Sequence, residues 1–373
     1  MRVVQFDMNC DIDDDIRRSI CFISDKIITY EVVGRKIKLL CDDEVEKEEL
    51  NKSIIEFQKR KEKTDDEIYY STEQQDRYWT DDEVLQGDIV KKYYDGSIVL
   101  DQTGIKLFEF FDQLFVSILD DMPVILKKYP TSIEMDTLID TGYLINSPQH
   151  PMLCMDIMES MNNFEKIEKA AEERNLKPYL SEAKFALSPS ACFSLYKELR
   201  GQVLKEDSIF SFRQNVFRNE GRLNWDELHR LRDYNVREIV FIGDKEYVYK
   251  VREELLKRVI EKLKNIGLKF KVEIASDPFV LPALQSYRKI QKKFKVKYEL
   301  RLSSSPEETI ACASFNLHGS TFANRFHFSK EGNQYTESGC IGFGIERCII
   351  AFIHQYGLCT KNWPEQVRDY IGK

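Results

Sequence analysis

Apolar positions change their spacing several times along the chain, and each change predicts an element. RVVQFDM alternates with the period of two that a half-buried strand requires. IDDDIRRSICFISDKI follows with apolar residues at helical spacing behind an Asp-rich start. KIITYEVV and RKIKLLC alternate again on either side of Gly34, which predicts a pair of strands around a turn. EVEKEELNKSIIEFQKRKEK then reads as a charged amphipathic helix. Residues 1–60 thus predict a small α+β unit.

From about residue 61 to 85 the chain turns polar and acidic (KTDDEIYYSTEQQDRYWTDDEVL), the composition of a linker with some aromatic anchoring. A second region begins near Gly87. GIKLFEFFDQLFVSILDD is apolar along one helical stripe, and PVILKKYPTS reads as a strand closing on Pro130. AKFALSPSACFSLY is another strand-like run. NVREIVFIG, KFKVEIAS, KVKYELRL and TIACASFN are strands, interrupted by a charged helix over about 245–266 and closed by the apolar helix in GFGIERCIIAFIHQYG. Strands in succession with a few helices, rather than strict β-α alternation, predict an α+β fold on an antiparallel sheet. The division is expected at 1–86 (small unit plus linker) and 87–373.

Composition narrows the classes. Of 373 residues, 42% are hydrophobic and 32% charged, as in a globular protein with a sizeable core. The net charge of −8 and pI near 5.5 carry no global footprint for nucleic acid. No apolar run approaches the roughly 20 residues that span a bilayer, and the acidic N-terminus lacks a secretory or transit pattern. A cytoplasmic location is expected. The nine cysteines are scattered without a close Cys-x-x-Cys pair, so any metal site must be assembled from distant segments.

Two arginines carry candidate chemistry. Arg218 and Glu220 lie between two strands, with Arg230 and Tyr234 following. An antiparallel pair with a long loop would bring Arg218 to a phosphate, Glu220 to an adenine amino group and Tyr234 under the base; arginine suits phosphate through its planar fork. From spacing alone, a surface ion pair between Arg218 and Glu220 is the favoured reading. Arg347 follows the Gly342–Gly344 turn on the first turn of an apolar helix, where it reads as a nucleotide contact or as a capping arginine.

Taken together, FRNE (217–220) and GFGIER (342–347) resemble motifs 2 and 3 of class II aminoacyl-tRNA synthetases, and the helix at 105–120 with its strand resembles motif 1, the family's dimer element. LSPSAC (187–192), REIVFIG (237–243), SDPF (276–279), ACASFNLH (311–318), SGCIGFGIER (338–347) and WPEQVR (363–368) occur in the order of a narrower group. They are similar to the amino acid:carrier-protein ligases, relatives of the catalytic core of atypical archaeal seryl-tRNA synthetase. The resemblance covers about 88–370 and leaves residues 1–86 outside.

It implies a class II synthetase-like sheet flanked by helices, a homodimer, and zinc held by Cys192, Glu238 and Cys340 with one position open to a substrate amine. It implies ATP with magnesium on Arg218, Glu220, Arg230, Tyr234 and Arg347, with Arg218 at the α-phosphate and Arg347 on the γ-phosphate side. Ser314, Asn316, His318 and Glu299 fall on the amino-acid side of the pocket. Where the group has an acidic residue and a histidine, this chain has Ser320 and Thr321, which puts its amino-acid preference in question; a small amino acid is the prior.

The implied reaction is amino-acid adenylation followed by transfer to the phosphopantetheine thiol of a carrier protein. The alternatives are a seryl-tRNA synthetase and a noncatalytic paralogue. The acidic balance and the short N-terminal block argue against tRNA. One basic run, Arg288, Lys289, Lys292, Lys293, Lys295 and Lys297, reads as a solvated face or as a dock for an acidic carrier protein.

Overall fold

A computed structural model of the chain describes residues 1–60, 67–225, 227–277, 285–333 and 335–372. Its centre is an eight-stranded sheet. In spatial order the strands are Glu67–Ser71, Phe270–Ile274, Lys297–Ser303, Thr309–Gly319, Glu337–Gly344, Asp233–Gly243, Ser208–Phe217 and Val124–Leu126. Every neighbouring pair is antiparallel except the last. The α+β fold on an antiparallel sheet is as the residue pattern predicts.

The two faces of this sheet differ because side chains alternate along a strand. On the back face Phe343 stacks on Phe115 of the helix Gln102–Val116, ring centroids 4.1 Å apart. Arg237, also on the back, donates two 2.7 Å hydrogen bonds to buried Asp112 of that helix, and Arg213 adds a third at 3.0 Å. Losing Asp112 would strand Arg237 and cost about 3–5 kcal/mol. The helix Gln102–Val116 starts where the Asp101 side chain accepts from the Gly104 amide. The helix Ile345–Tyr356 is buried around nearly its whole circumference and forms the centre of the core. Truncating a ring such as Phe343 to alanine would cost about 3–5 kcal/mol.

Residues 1–60 pack a separate core. The strands Arg2–Asp7, Lys36–Cys41 and Ile27–Val33 form a three-stranded sheet, and the helix Lys47–Gln58 buries Leu50, Ile54 and Phe57 against it.

Three expectations change. Of the expected linker, residues 61–66 lie outside the described residues, but Glu67–Ser71 is an edge strand of the large sheet. Trp79 and Thr72 also hydrogen-bond into that body, at His354 and Phe270. SACFSLY is not a strand: Cys192, Phe193, Leu195 and Tyr196 are buried along the helix Cys192–Glu198, because their spacing gives a helical stripe. PVILKKYPTS (123–132) holds one short strand, Val124–Leu126, and reaches only the first residue of the next, Ser132–Glu134, in a different sheet; Pro130, with no amide hydrogen, sits between them. Among the described residues no helix is long and apolar enough to cross a membrane.

Candidate functional site

The front face of the sheet is lined by small and polar residues, and this opens a cleft of about 740 Å³. Alternation puts Cys340, Gly342 and Gly344 on that face, opposite Phe343 on the back. Ser314, Asn316 and His318 share it at a spacing of two, and all three line the cleft with Glu299.

Cys192 enters from the first turn of its helix, Glu238 from the middle of its strand, and Cys340 from the neighbouring strand. All three are buried, and their ligand atoms lie within 4.8 Å of one another. Gly342 is directly opposite Glu238, and a Cβ there would come 2.9 Å from Glu238 Oε2. The glycine is therefore what admits the carboxylate. His318 Nε2 is 3.3 Å and Asn316 Nδ2 3.6 Å from Cys340 Sγ, while Ser190 Oγ is 3.3 Å from Cys192 Sγ.

Three acidic groups this close cannot all ionise without a cation. The Cys340 thiol, donating toward Cys192, holds Cys192 below the usual thiol range and is itself pushed well up. Burial and the Cys192 charge push the Glu238 carboxyl well up. Two sulfurs and one carboxylate oxygen, converging and buried, suit zinc in chemical type and in number for an open site.

About the other end of the cleft stand the arginines. The Arg347 guanidinium lies over the Tyr234 ring, 4.4 Å from its centroid. Gly344 keeps the space beneath: a Cβ there would meet the Tyr234 ring at 3.3 Å. Arg347 Nη2 is 3.8 Å from Glu220 Oε1, and Arg230 Nη1 is 3.6 Å from Glu220 Oε2. Arg218 donates through Nε to the Pro189 carbonyl at 2.9 Å. Burial works against the Arg218 charge, yet Tyr234, Tyr143, Glu220 and Asp277 around it raise its pKa, so it is a permanent cation. The surface-pair reading of Arg218 with Glu220 thus gives way to Glu220 bridging Arg230 and Arg347. Tyr234 is not an open platform for a base, since Arg347 covers one face and the tyrosine is only 4% exposed. Arg347 lines the cleft, and its Nε is buried with no hydrogen-bond partner.

The basic run divides. Lys297 belongs to the cleft, not to a surface: it lies 2.8 Å from Asp277 Oδ1 and 3.9 Å from Glu299. Burial opposes the Asp277 charge, but Lys297 and Gln291 outweigh it and pull the carboxyl down to about 2. Arg288 pairs with Asp15 at 3.2 Å and Lys295 with Glu67 at 3.4 Å. Lys289, Lys292 and Lys293 lie on the helix Gln285–Lys293, whose Tyr287 and Ile290 flank the cleft.

Lys297 and Asp277 are cleft residues to which the sequence reading gave no site role; Asp277 lies in the SDPF motif, whose last two residues lie outside the described residues. Strand alternation in KYELR already places Lys297 on the same face as Glu299 and Arg301. Tyr143 and His150, 2.8 Å apart between hydroxyl and Nδ1, also line the cleft and carried no sequence signal. Ser320 precedes and Thr321 begins the helix Thr321–Phe326, and Thr321 lines the cleft.

Comparison with solved structures places this geometry. M. kandleri SerRS, in complex with A. aeolicus tRNASec, superposes with a TM-score of 0.71 at 19% identity, over 99% of this chain and 77% of that one. The fold is that of the class II aminoacyl-tRNA synthetases. The structural likeness takes in residues 1–86, which the motif resemblance left outside. No family model matches the chain.

In sequence, the chain is 34% identical over 196 residues to amino acid–[acyl-carrier-protein] ligase 1 of Bradyrhizobium diazoefficiens, covering 52% of this chain and 59% of the relative. It is 26% identical over 287 residues to a type-2 serine–tRNA ligase of Methanococcus maripaludis, covering 72% of this chain and 55% of the relative. The chain therefore spans between half and three fifths of the length of these relatives. The resemblance to carrier-protein ligases and to type-2 serine–tRNA ligases, read from ordered motifs, is borne out by both.

Proposed function

We infer that this chain activates a small amino acid with ATP and passes the aminoacyl group to the phosphopantetheine thiol of a carrier protein. The observation that carries this reading is one strand. Glu337–Gly344 brings Cys340 to the cysteine–glutamate cluster and ends where Arg347 begins the nucleotide end, so both substrates of one reaction have a site in one cleft. The higher identity to the carrier-protein ligase favours that acceptor over tRNA.

Cys192, Glu238 and Cys340 would hold zinc, which when bound offers an open position to the substrate's α-amine. Ser314, Asn316 and His318 line the wall beside it and orient the amino acid. Arg218 neutralises the α-phosphate of magnesium-bound ATP. Arg347, supported on Tyr234 and tethered by Glu220, presents its guanidinium to the nucleotide. Tyr234 thus acts through Arg347 rather than against the base.

A carboxylate oxygen of the amino acid attacks the α-phosphorus, the bond to the bridging oxygen breaks, and pyrophosphate leaves. The thiolate sulfur of the acceptor then attacks the acyl carbon, and AMP leaves. The protein contributes alignment and charge neutralisation. A homodimer belongs to the same reading; Ile125 and Leu126, exposed on the sheet-edge strand, offer its surface. Sedimentation of the wild-type chain as a monomer would remove that part.

The test is to incubate the enzyme with ATP and a radiolabelled small amino acid, then to offer phosphopantetheinylated carrier protein and total tRNA separately. Label on the carrier supports the reading. Label on tRNA alone replaces it with aminoacylation.

A further inference from the structure

The loop at 218–232, which carries Glu220 and Arg230, does not end in solvent; its tip is seated on residues 18–24. Gly221 has φ +98°, and a Cβ there would lie 2.7 Å from Cys21 Sγ. Asn224 Nδ2 donates to the Arg18 carbonyl at 2.9 Å, Arg222 to the Ser24 carbonyl at 3.0 Å, and Leu223 packs on the N-terminal core.

From this seat a row of alternating charges runs back to the cleft. Arg18 Nη2 donates to both oxygens of Glu227 at 3.1 Å. Glu227 Oε2 accepts from Arg230 Nε at 2.9 Å, Arg230 is 3.6 Å from Glu220, and Glu220 is 3.8 Å from Arg347. Burial works against the Glu227 charge, but His229 and Arg18 outweigh it and hold the carboxyl down at about 2. A second cavity, of about 1160 Å³, has Asp13, Arg18, Glu227, Arg301 and Thr309 in its wall. Arg301 donates at 2.8 Å to Glu299, which lines the first cleft, so an ion pair links the walls of the two spaces.

We propose that residues 1–60 brace the nucleotide end from outside the cleft, and that Arg18 is a positioning residue that sets Arg347 through Glu227, Arg230 and Glu220. The inference rests on the reading that Arg347 contacts ATP. It gives the N-terminal unit a part in catalysis although none of its residues touches the reacting atoms. Removing Arg18 frees Glu227 to draw Arg230 away from Glu220, and Arg347 then loses its tether without losing its charge.

The experiment compares full-length wild type, Arg18→Ala and Arg18→Lys in amino-acid-dependent ATP–pyrophosphate exchange, with calorimetric titration of magnesium-ATP alongside. Arg18→Ala raises the KM and Kd for ATP by about two- to fivefold, the effect of losing one partly exposed ion pair. It leaves the amino-acid KM unchanged, and Arg18→Lys recovers part of the loss. If Arg18→Ala does not fold, Glu227→Gln, which keeps shape and removes charge, serves with the same expectation. Unchanged ATP parameters, or equal shifts in both KM values, overturn the inference. Wild type that neither exchanges nor binds ATP overturns the parent reading instead.

Discussion

The guanidinium of Arg347 rests 4.4 Å from the centroid of the Tyr234 ring, and the ring has room there because residue 344 is glycine. A cation held over an aromatic face keeps its charge while losing its freedom, which is what a nucleotide contact needs. Replacing Tyr234 with leucine removes the π face, an interaction of about 0.5–2 kcal/mol. The ATP KM is expected to rise roughly two- to thirtyfold, whereas Tyr234→Phe stays near wild type. Steady-state exchange kinetics check both variants.

Gly342→Ala tests the metal cluster without touching a donor atom. The added methyl group would displace the Glu238 carboxylate, which lies 2.9 Å from the position of its Cβ. Zinc affinity is expected to fall by about tenfold or more, as when a group that orients a ligand is lost. Competitive titration with a chromogenic chelator measures it, and circular dichroism should show an unchanged fold.

His150 predicts a pH dependence of stability. Burial is the main cause that lowers its pKa, to about 4; Glu220 opposes this, while Arg218 and Arg347 add to it. The unfolded chain takes up this proton near pH 6.5 and the folded chain only near 4, so the unfolded state binds more protons between those values. Stability therefore falls as the pH drops from 6.5 toward 4 and is unaffected by this group above 6.5. His150→Gln should flatten that part of a curve of Tm against pH. An unchanged curve would remove His150 as its source.

The helix Gln285–Lys293 predicts a kinetic effect. Changing Lys289, Lys292 and Lys293 to glutamate should slow loading of an acidic carrier protein by about tenfold at low salt, since surface charge governs encounter more than affinity. Pyrophosphate exchange should be spared. Equal loss of both activities, or of neither, would remove carrier docking from this helix.

The antiparallel sheet, the helix at its back and the cleft-lining triplets were legible because period two and ordered motifs are local signals. Ser314, Asn316 and His318 share a face by spacing alone. The partners of the charged residues were not legible in the same way. Arg218 and Glu220 are two apart, yet one turns to the Pro189 carbonyl and the other to Arg230 and Arg347, because the loop between their strands folds back. Lys297 was grouped with its basic neighbours by composition, although alternation in its strand turns it into the cleft. The seat of the 218–232 loop on residues 18–24 joins positions about two hundred apart and has no periodic signature.

The central claim is that one cleft activates an amino acid with ATP. Amino-acid-dependent ATP–pyrophosphate exchange, scanned over the twenty amino acids with and without a zinc chelator, tests it most directly. Exchange is expected with one or a few small amino acids, lost on chelation and restored by zinc, and abolished in Arg218→Ala. Absence of exchange with every amino acid in zinc-loaded protein, or exchange indifferent to the chelator and to Arg218, would contradict it.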